Sequence, residues 1–370
     1  MASKTGIEWT DSTWNPILGC SRVSAGCRNC YAEGVAARFR MNKSGKETVY
    51  SGLTQIVNGH PQWTGKIVET KQLLRPLSWK KPKRIFVNSM SDLFHENVTD
   101  EQIDKIFAVM ALCPQHTFQV LTKRPERMNR YLSGSLQFRI VLRADEITQG
   151  KPTLQKWKPI YRNWPLYRNW PLPNVWLGVS VENQMTADER VPLLLKTPAA
   201  VRFISAEPLL GPVNLDACII EKQEYEHSIK TWTKSALDDS DIWHSEDGDV
   251  SDGPQYPKLD WVICGGESGP NARPMHPAWA RSLRDQCAAA GVPFFFKQWG
   301  EWEPFGLSKS VNTIAPSQIG TFDANGMSFF YGAGPNTNRD GVGEHMWRVG
   351  KKAAGHMLDG EIYQEFPKEH

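Results

Sequence analysis

Arg84-Ile-Phe-Val-Asn88, the helical pattern Asp100 to Leu112 and Thr117-Phe-Gln-Val-Leu121 follow one another along the chain, with Thr99 placed as the helix N-cap. A β-rich run, a helix and a second β-rich run read as a parallel βαβ unit, because parallel strands need a crossover between them. The alternation continues outward. Further strands are expected at Val175-Trp-Leu-Gly-Val-Ser180, Val201-Arg-Phe-Ile-Ser205, Trp261-Val-Ile-Cys264 and Val292-Pro-Phe-Phe-Phe-Lys297, and another around Trp14 to Leu18. Helices are expected at Ala32 to Arg40, Thr186 to Leu195 and Pro277 to Ala290. Such a series closes most readily into a barrel or a doubly wound sheet. We read it as an α/β fold, a partial (β/α) barrel of TIM type with about six parallel strands. The barrel is expected over residues 1–300, with insertions at about 140–172 and 217–258, and residues 301–370 as a C-terminal extension ending in a short helix, Lys351 to Leu358.

Composition narrows the class. The 370 residues, 40% hydrophobic and 22% charged, can build a large core, which excludes a small disulfide scaffold and wholesale disorder. The longest apolar run, Phe107 to Cys113, is far short of the roughly 20 residues that span a bilayer. Residues Met1 to Trp9 lack the apolar core of a signal peptide, so a cytoplasmic protein without membrane attachment is expected. Seven cysteines, an odd number, then read as reduced thiols or metal ligands.

Net charge is +3, unevenly spread. Lys123 to Arg168 carries eleven Lys and Arg against three acids, whereas Glu221 to Lys258 carries ten acids against four lysines. The first segment is a candidate nucleic-acid face or a solvated surface; the second reads as a surface insertion. Tyr161 to Leu166 is repeated as Tyr167 to Leu172, a local duplication that lengthens one loop.

The sharpest chemical feature is Cys20-Ser-Arg-Val-Ser-Ala-Gly-Cys27-Arg-Asn-Cys30. Two residues between Cys27 and Cys30 let both thiolates turn toward one centre, and Gly19 and Gly26 allow the bend that brings Cys20 to them. Zinc would need a fourth ligand, for which His60 and His95 are candidates. A [4Fe–4S] cubane on three thiolates leaves one iron open for a further ligand. Three unrelated buried thiols is the bland reading, and a polar, Gly-rich loop is a poor place for it. Cys113, Cys218, Cys264 and Cys287 are isolated and read as inert buried thiols.

Thr13-Trp-Asn-Pro16, the cysteine triplet, Leu121-Thr-Lys-Arg-Pro125, Trp176 to Asn183, Ser205 to Gly211 and Gly265-Gly-Glu-Ser-Gly269 together resemble a phage and bacterial family defined by a domain of unknown function. Genes of that family often neighbour one for a three-Cys-motif partner protein. The triplet after a first barrel strand also resembles the radical S-adenosylmethionine (SAM) superfamily. Phe86 to Glu96, Val179 to Glu182 and Arg202 to Pro208 resemble strand ends of its DNA-repair-type lyases. The chain departs from the usual C-x3-C-x2-C spacing in its six-residue first gap. Asn29 stands where an aromatic residue is common, with Tyr31 close by.

The resemblance implies a [4Fe–4S] cluster on Cys20, Cys27 and Cys30, SAM on the open iron and an external electron donor. It implies that Ser89 and Asp92 hold the SAM amino group or ribose, that Lys123 and Arg124 face its carboxylate, and that Ser180, Glu182 and Asn183, helped by Glu207, bind the ribose hydroxyls. From the residues alone, Arg124 before Pro125 also reads as a helix cap, and Glu207-Pro208 as a turn. Gly265 to Gly269 lacks both phosphate-loop spacings, so its glycines are read as permitting close approach of cofactor or substrate, with Glu267 as an acceptor. Lys297-Gln-Trp-Gly300 either reaches the same pocket or anchors the barrel end through Trp299. The function expected is radical SAM chemistry on an unknown substrate, with nucleic acid or a nucleotide favoured. The alternatives are a non-catalytic zinc or iron–sulfur module that binds nucleic acid, and a metal-free phosphate-binding barrel enzyme.

Overall fold

The computed structural model describes residues 5–134, 136–149, 170–225, 228–240, 242–252, 255–305, 319–323, 329–331 and 344–368. Seven strands are hydrogen-bonded in one sheet: β1 (Ser12–Trp14), β2 (Arg84–Val87), β3 (Thr117–Thr122), β4 (Val175–Ser180), β5 (Val201–Ala206), β6 (Trp261–Gly265) and β7 (Phe294–Gln298), in that order. The pairs β1–β2, β2–β3, β3–β4 and β6–β7 are parallel. Spatial order following chain order is the winding of a (β/α) barrel; a doubly wound sheet reverses at a switch point. The fold is mixed α/β, with one strand more than the six expected.

The first strand differs from the Trp14 to Leu18 expectation. β1 stops at Trp14, and Ile17–Leu18 pair instead with Val68–Glu69, antiparallel, in a separate ribbon. Pro16 has no N–H to continue the ladder, and the Asn15 and Pro16 carbonyls are taken by the hydroxyl and backbone N–H of Thr70.

The chain divides into two compact units, Met1–Val179 with Leu193–Phe203, and Ser180–Pro192 with Ile204–Glu369. In the first, α1 (Tyr31–Arg38) follows the cysteine loop and α2 (Asp100–Ala111) connects β2 to β3. Thr99 closes a full capping box on α2, with Gln102 reciprocating. Two helices not anticipated in the sequence, α3 (Pro125–Leu132) and α4 (Gln137–Thr148), follow β3 and occupy the start of the basic stretch. Their arginines turn inward. Arg139 pairs with the buried Asp104 of α2, Arg143 with Glu101 and Glu146, and Arg127 with Asp100. Local charge therefore overstated the cationic face: acids some forty residues earlier neutralise much of it. Residues 150–169, including most of the duplicated segment, lie outside the described residues.

In the second unit, α5 (Gln184–Leu195) begins within this unit, and α6 (Pro277–Ala290) connects β6 to β7. The acidic segment is not simply a solvated loop. Ile219–Tyr225, Ser228–Lys234, Ile242–Ser245 and Val250–Asp252 form a four-stranded antiparallel sheet. Lys234, 1% exposed, is buried there with its ammonium on Asp238. A second antiparallel sheet contains Trp302–Pro304, Ile319–Phe322, Phe329–Tyr331 and His345–Arg348. The terminal helix is shorter than expected, Lys351–Ala354, because Gly355 turns the chain with φ 69°. Residues beyond it cover the free edge of β7: Phe296 N–H donates to Tyr363 O, and Glu365 N–H to Phe294 O.

Buried tryptophans act as staples, since an indole N–H in a core needs an acceptor. Trp14, Trp261, Trp299 and Trp302 donate to the carbonyls of Gln72, Glu365, Met357 and Ala272. Thr99→Ala should lower the unfolding free energy by about 1 kcal/mol through loss of the cap. Gly266→Ala should cost more, because its Cβ would sit 1.9 Å from the Trp299 carbonyl oxygen. Urea-unfolding midpoints of the two variants test that order.

Candidate functional site

The cysteine loop is fixed at both ends by backbone. Gly19, with φ 99°, donates its N–H to Met90 O, and a Cβ there would lie 2.0 Å from the Lys66 carbonyl oxygen. Cys20 O then accepts Gly65 N–H, so the loop starts between the end of β2 and the 60s segment. At the far end Cys30 is the N-cap of α1. Cys20 and Cys30 pack on a core patch of Leu18, Ala32, Ala36, Leu53, Trp63 and Met90. Between them, Arg22 forms a two-pronged ion pair with the buried Glu33, at 2.9 and 2.5 Å, and Glu33 also accepts Trp63 N–H.

All three thiols are free and half-buried. Burial pushes Cys20 up to about 12, with Asp92 adding to the rise, Arg124 opposing it, and Cys30 and Cys27 adding further. Cys30 is also raised, chiefly by burial, against the N–H groups of Glu33 and Ala32. The three sulfurs thus lie within each other's electrostatic reach, and each opposes ionisation of the next. A site of that kind takes on thiolate character when a metal supplies positive charge. Among the described residues, no three His, Cys, Asp or Glu side chains are grouped to hold one ion.

Arg124 is the hub beside the loop. It is 8% exposed, and all three guanidinium nitrogens are occupied. Nη1 donates to Asp92 Oδ2 at 3.1 Å and to Cys20 Sγ at 3.8 Å; Nη2 donates to Ser21 O and Oγ at 3.2 and 2.8 Å; Nε donates to Glu96 Oε2 at 2.9 Å. Asp92 is equally committed. Its Oδ1 accepts from Phe94 N–H and the Thr122 hydroxyl, and its Oδ2 from Lys123 N–H and Arg124. Arg124 is also the N-cap residue of α3, so the helix-cap reading describes its backbone, while its side chain serves Cys20 and Ser21.

Ser21 and His95 form a pair at 2.9 Å. His95 Nδ1 accepts Asn97 N–H, which leaves Nε2 to carry the proton and donate to Ser21 Oγ. That is the reverse of a base activating a nucleophile. Burial, then Arg124, lowers the His95 pKa and favours this neutral form. His60, the other zinc-ligand candidate, is exposed on the Thr54–Val57/His60–Trp63 hairpin.

Ser89 exchanges hydrogen bonds with the Asn15 side chain at 3.2 Å, and its carbonyl accepts the Tyr31 hydroxyl at 2.7 Å. Asn88, at the carboxyl end of β2, escaped the sequence reading. It is 3% exposed, left-handed with φ 61°, and neither side-chain amide atom has a hydrogen-bond partner. No hydrophobic or charge pattern marks such a residue; only the coordinates reveal an unsatisfied amide.

In the second unit, the candidate carboxylates carry internal cations. Glu182, fully buried, pairs with Arg190 at 3.2 Å, and Arg190 also donates to Ser180 O. Asn183 Oδ1 accepts Thr186 N–H at the start of α5. Glu207 accepts Lys297 Nζ at 2.7 Å and Gln298 Nε2 at 3.1 Å; Glu267 is bridged by Arg273. The glycines after β6 serve the fold. Gly266 and Gly300 let the ends of β6 and β7 touch backbone to backbone, where Cβ atoms would meet Trp299 O at 1.9 Å and Glu267 O at 2.1 Å. Trp299 is buried, in keeping with an anchoring role, and Lys297 reaches Glu207.

A model of the family described as "Protein of unknown function (DUF5131)" matches residues 4–367, so the chain belongs to that family. No curated protein and no solved structure gives a match. No helix among the described residues is long and apolar enough to cross a membrane.

Glu96 supplies a pH test of the Arg124 hub. Burial raises its pKa, but its own backbone N–H, Arg124 and Ser21 outweigh this and hold it at about 2 against an ordinary 4.5. A depressed carboxylate stabilises the fold above its unfolded pKa and loses that contribution as pH falls through the folded one. Stability should therefore drop between about pH 4.5 and 2, and Glu96→Gln should flatten that limb in urea midpoints taken across the range.

Proposed function

We propose that Cys20, Cys27 and Cys30 hold a [4Fe–4S] cluster that binds SAM, and that the protein is a radical SAM-type enzyme. The single observation that carries this reading is the set of three free, mutually coupled thiols in one loop at the end of β1, each packed or pinned by its own neighbours. One zinc ion would draw sulfurs to about 2.3 Å from a common point. A cubane gives each thiolate its own iron and so suits sulfurs that are neighbours without converging on one ion. When bound, such a cluster supplies the electron that splits the SAM sulfonium to a 5′-deoxyadenosyl radical.

The chain's own residues bind and position. Arg22 and Glu33 clamp the loop to α1, and Arg124 with Asp92 holds Cys20. Because Asp92 and Arg124 are committed to each other, Ser89 and Lys123 are the better candidates for cofactor contacts in the first unit. Asn88 joins them: a buried amide with no partner costs roughly 1–3 kcal/mol per group, which a polar ligand would recover. Ser180, Glu182, Asn183, Glu207 and Glu267 keep their assignment as cofactor contacts, with the carboxylates acting as hydroxyl acceptors whose charge is already balanced.

Nucleic acid or a nucleotide remains the proposed substrate class, and a three-Cys-motif partner protein and an external electron donor the proposed partners. The inward pairing of Arg124, Arg127, Arg139 and Arg143 removes part of the charge argument for nucleic acid. Exposed cations do stand beside the cysteine loop at Arg38, Arg40, Lys43 and Lys46, for which no ion pair is formed.

Anaerobic reconstitution should yield about four irons and four sulfides per chain with absorbance near 400 nm. It should also give dithionite-dependent 5′-deoxyadenosine from SAM. Each of Cys20→Ala, Cys27→Ala and Cys30→Ala should abolish both. One zinc per chain without SAM turnover would instead establish the non-catalytic module.

A further inference from the structure

We propose that Arg124 is a positioning residue that raises the reduction potential of the cluster by donating to the Cys20 thiolate. The inference rests on the cluster reading above and assigns this arginine a role other than binding the SAM carboxylate. Its geometry leaves little else for it to do. The guanidinium is buried, and one nitrogen, Nη1, bridges Cys20 Sγ at 3.8 Å and Asp92 Oδ2 at 3.1 Å. The other two nitrogens are tied to Ser21, next to Cys20 in the chain, and to Glu96. Its backbone is held as well, by an N–H bond to Thr122 Oγ1 at 3.0 Å.

A cationic donor to a ligating sulfur draws electron density from it. Reduction adds one negative charge to the cluster, so the cation stabilises the reduced form more than the oxidised one. Asp92 and Glu96 work against this, since two carboxylates surround one guanidinium. They are not equivalent for experiment: the Glu96 side chain is 59% exposed, whereas Asp92 is buried and caps a turn through Phe94. Removing the Glu96 charge thus unmasks Arg124 with little demand on the fold, whereas removing Arg124 leaves Cys20 facing two acids. The two changes must move the potential in opposite directions.

The test is a dithionite redox titration of the reconstituted full-length protein, with the reduced cluster followed by electron paramagnetic resonance. Arg124→Gln should lower the reduced-to-oxidised ratio at a fixed potential about tenfold, equivalent to 59 mV for one electron. Arg124→Lys, which keeps the charge but loses the fork, should lower it less. Glu96→Gln should raise it. Shifts of the same sign in Arg124→Gln and Glu96→Gln, or none beyond twofold with iron content intact, overturn the proposal. If Arg124→Gln takes up no cluster, Glu96→Gln decides alone, and an unchanged potential there counts against the assignment. A wild-type protein that binds no iron removes the cluster reading itself, which the iron content shows before any titration.

Discussion

Charge placed at the carboxyl ends of parallel strands has to be balanced where it stands, and in this protein that requirement organises the loops. Four such ends carry an acid: Asp92 after β2, Glu182 after β4, Glu207 after β5 and Glu267 after β6. Each has acquired a cation from its own unit, respectively Arg124, Arg190, Lys297 and Arg273. Removing one partner of a buried pair strands the other at a cost of several kcal/mol, so these pairs lock the loops that carry them. The cysteine loop is one beneficiary. Arg124 reaches it only because Asp92 and Glu96 hold the guanidinium from the opposite side.

The loop itself is built for rigidity before any ligand arrives. Gly19 lies against the Lys66 carbonyl, Arg22 is forked onto Glu33, and Cys30 begins α1 with two of the three thiols against an apolar patch. Free thiols raised by burial and by one another are poor nucleophiles and good metal ligands once a cation pays their desolvation. The Ser21–His95 pair beside them is oriented for structure, its imidazole proton directed at the serine. Acid–base catalysis at that pair would require the opposite tautomer, which the Asn97 N–H disfavours.

Charge counted along the chain proved the least transferable quantity. The stretch from Lys123 is strongly basic in sequence, yet Arg124, Arg127, Arg139 and Arg143 all find acids contributed by the β2–α2 segment or by α4 itself. Conversely, the acidic segment folds into a sheet with a buried lysine at its centre. Ion pairs join residues distant in sequence, so a running sum of charge cannot separate a binding face from an internally neutral one.

Alternation of β-rich runs with helical patterns was enough to establish parallel α/β order, and five of the strands begin where the β-branched and aromatic runs begin. Thr99 as a cap and Pro277 as a helix start were equally legible, because local hydrogen bonding and fixed φ act within a few residues. The cysteine spacing announced a metal-binding loop by itself. Tertiary structure alone decided that β1 ends before Pro16, that Gly266 and Gly300 serve backbone contact, that the candidate carboxylates arrive already paired, and that Arg124 turns toward Cys20. Those outcomes depend on which segments meet in space, and no local periodicity records that.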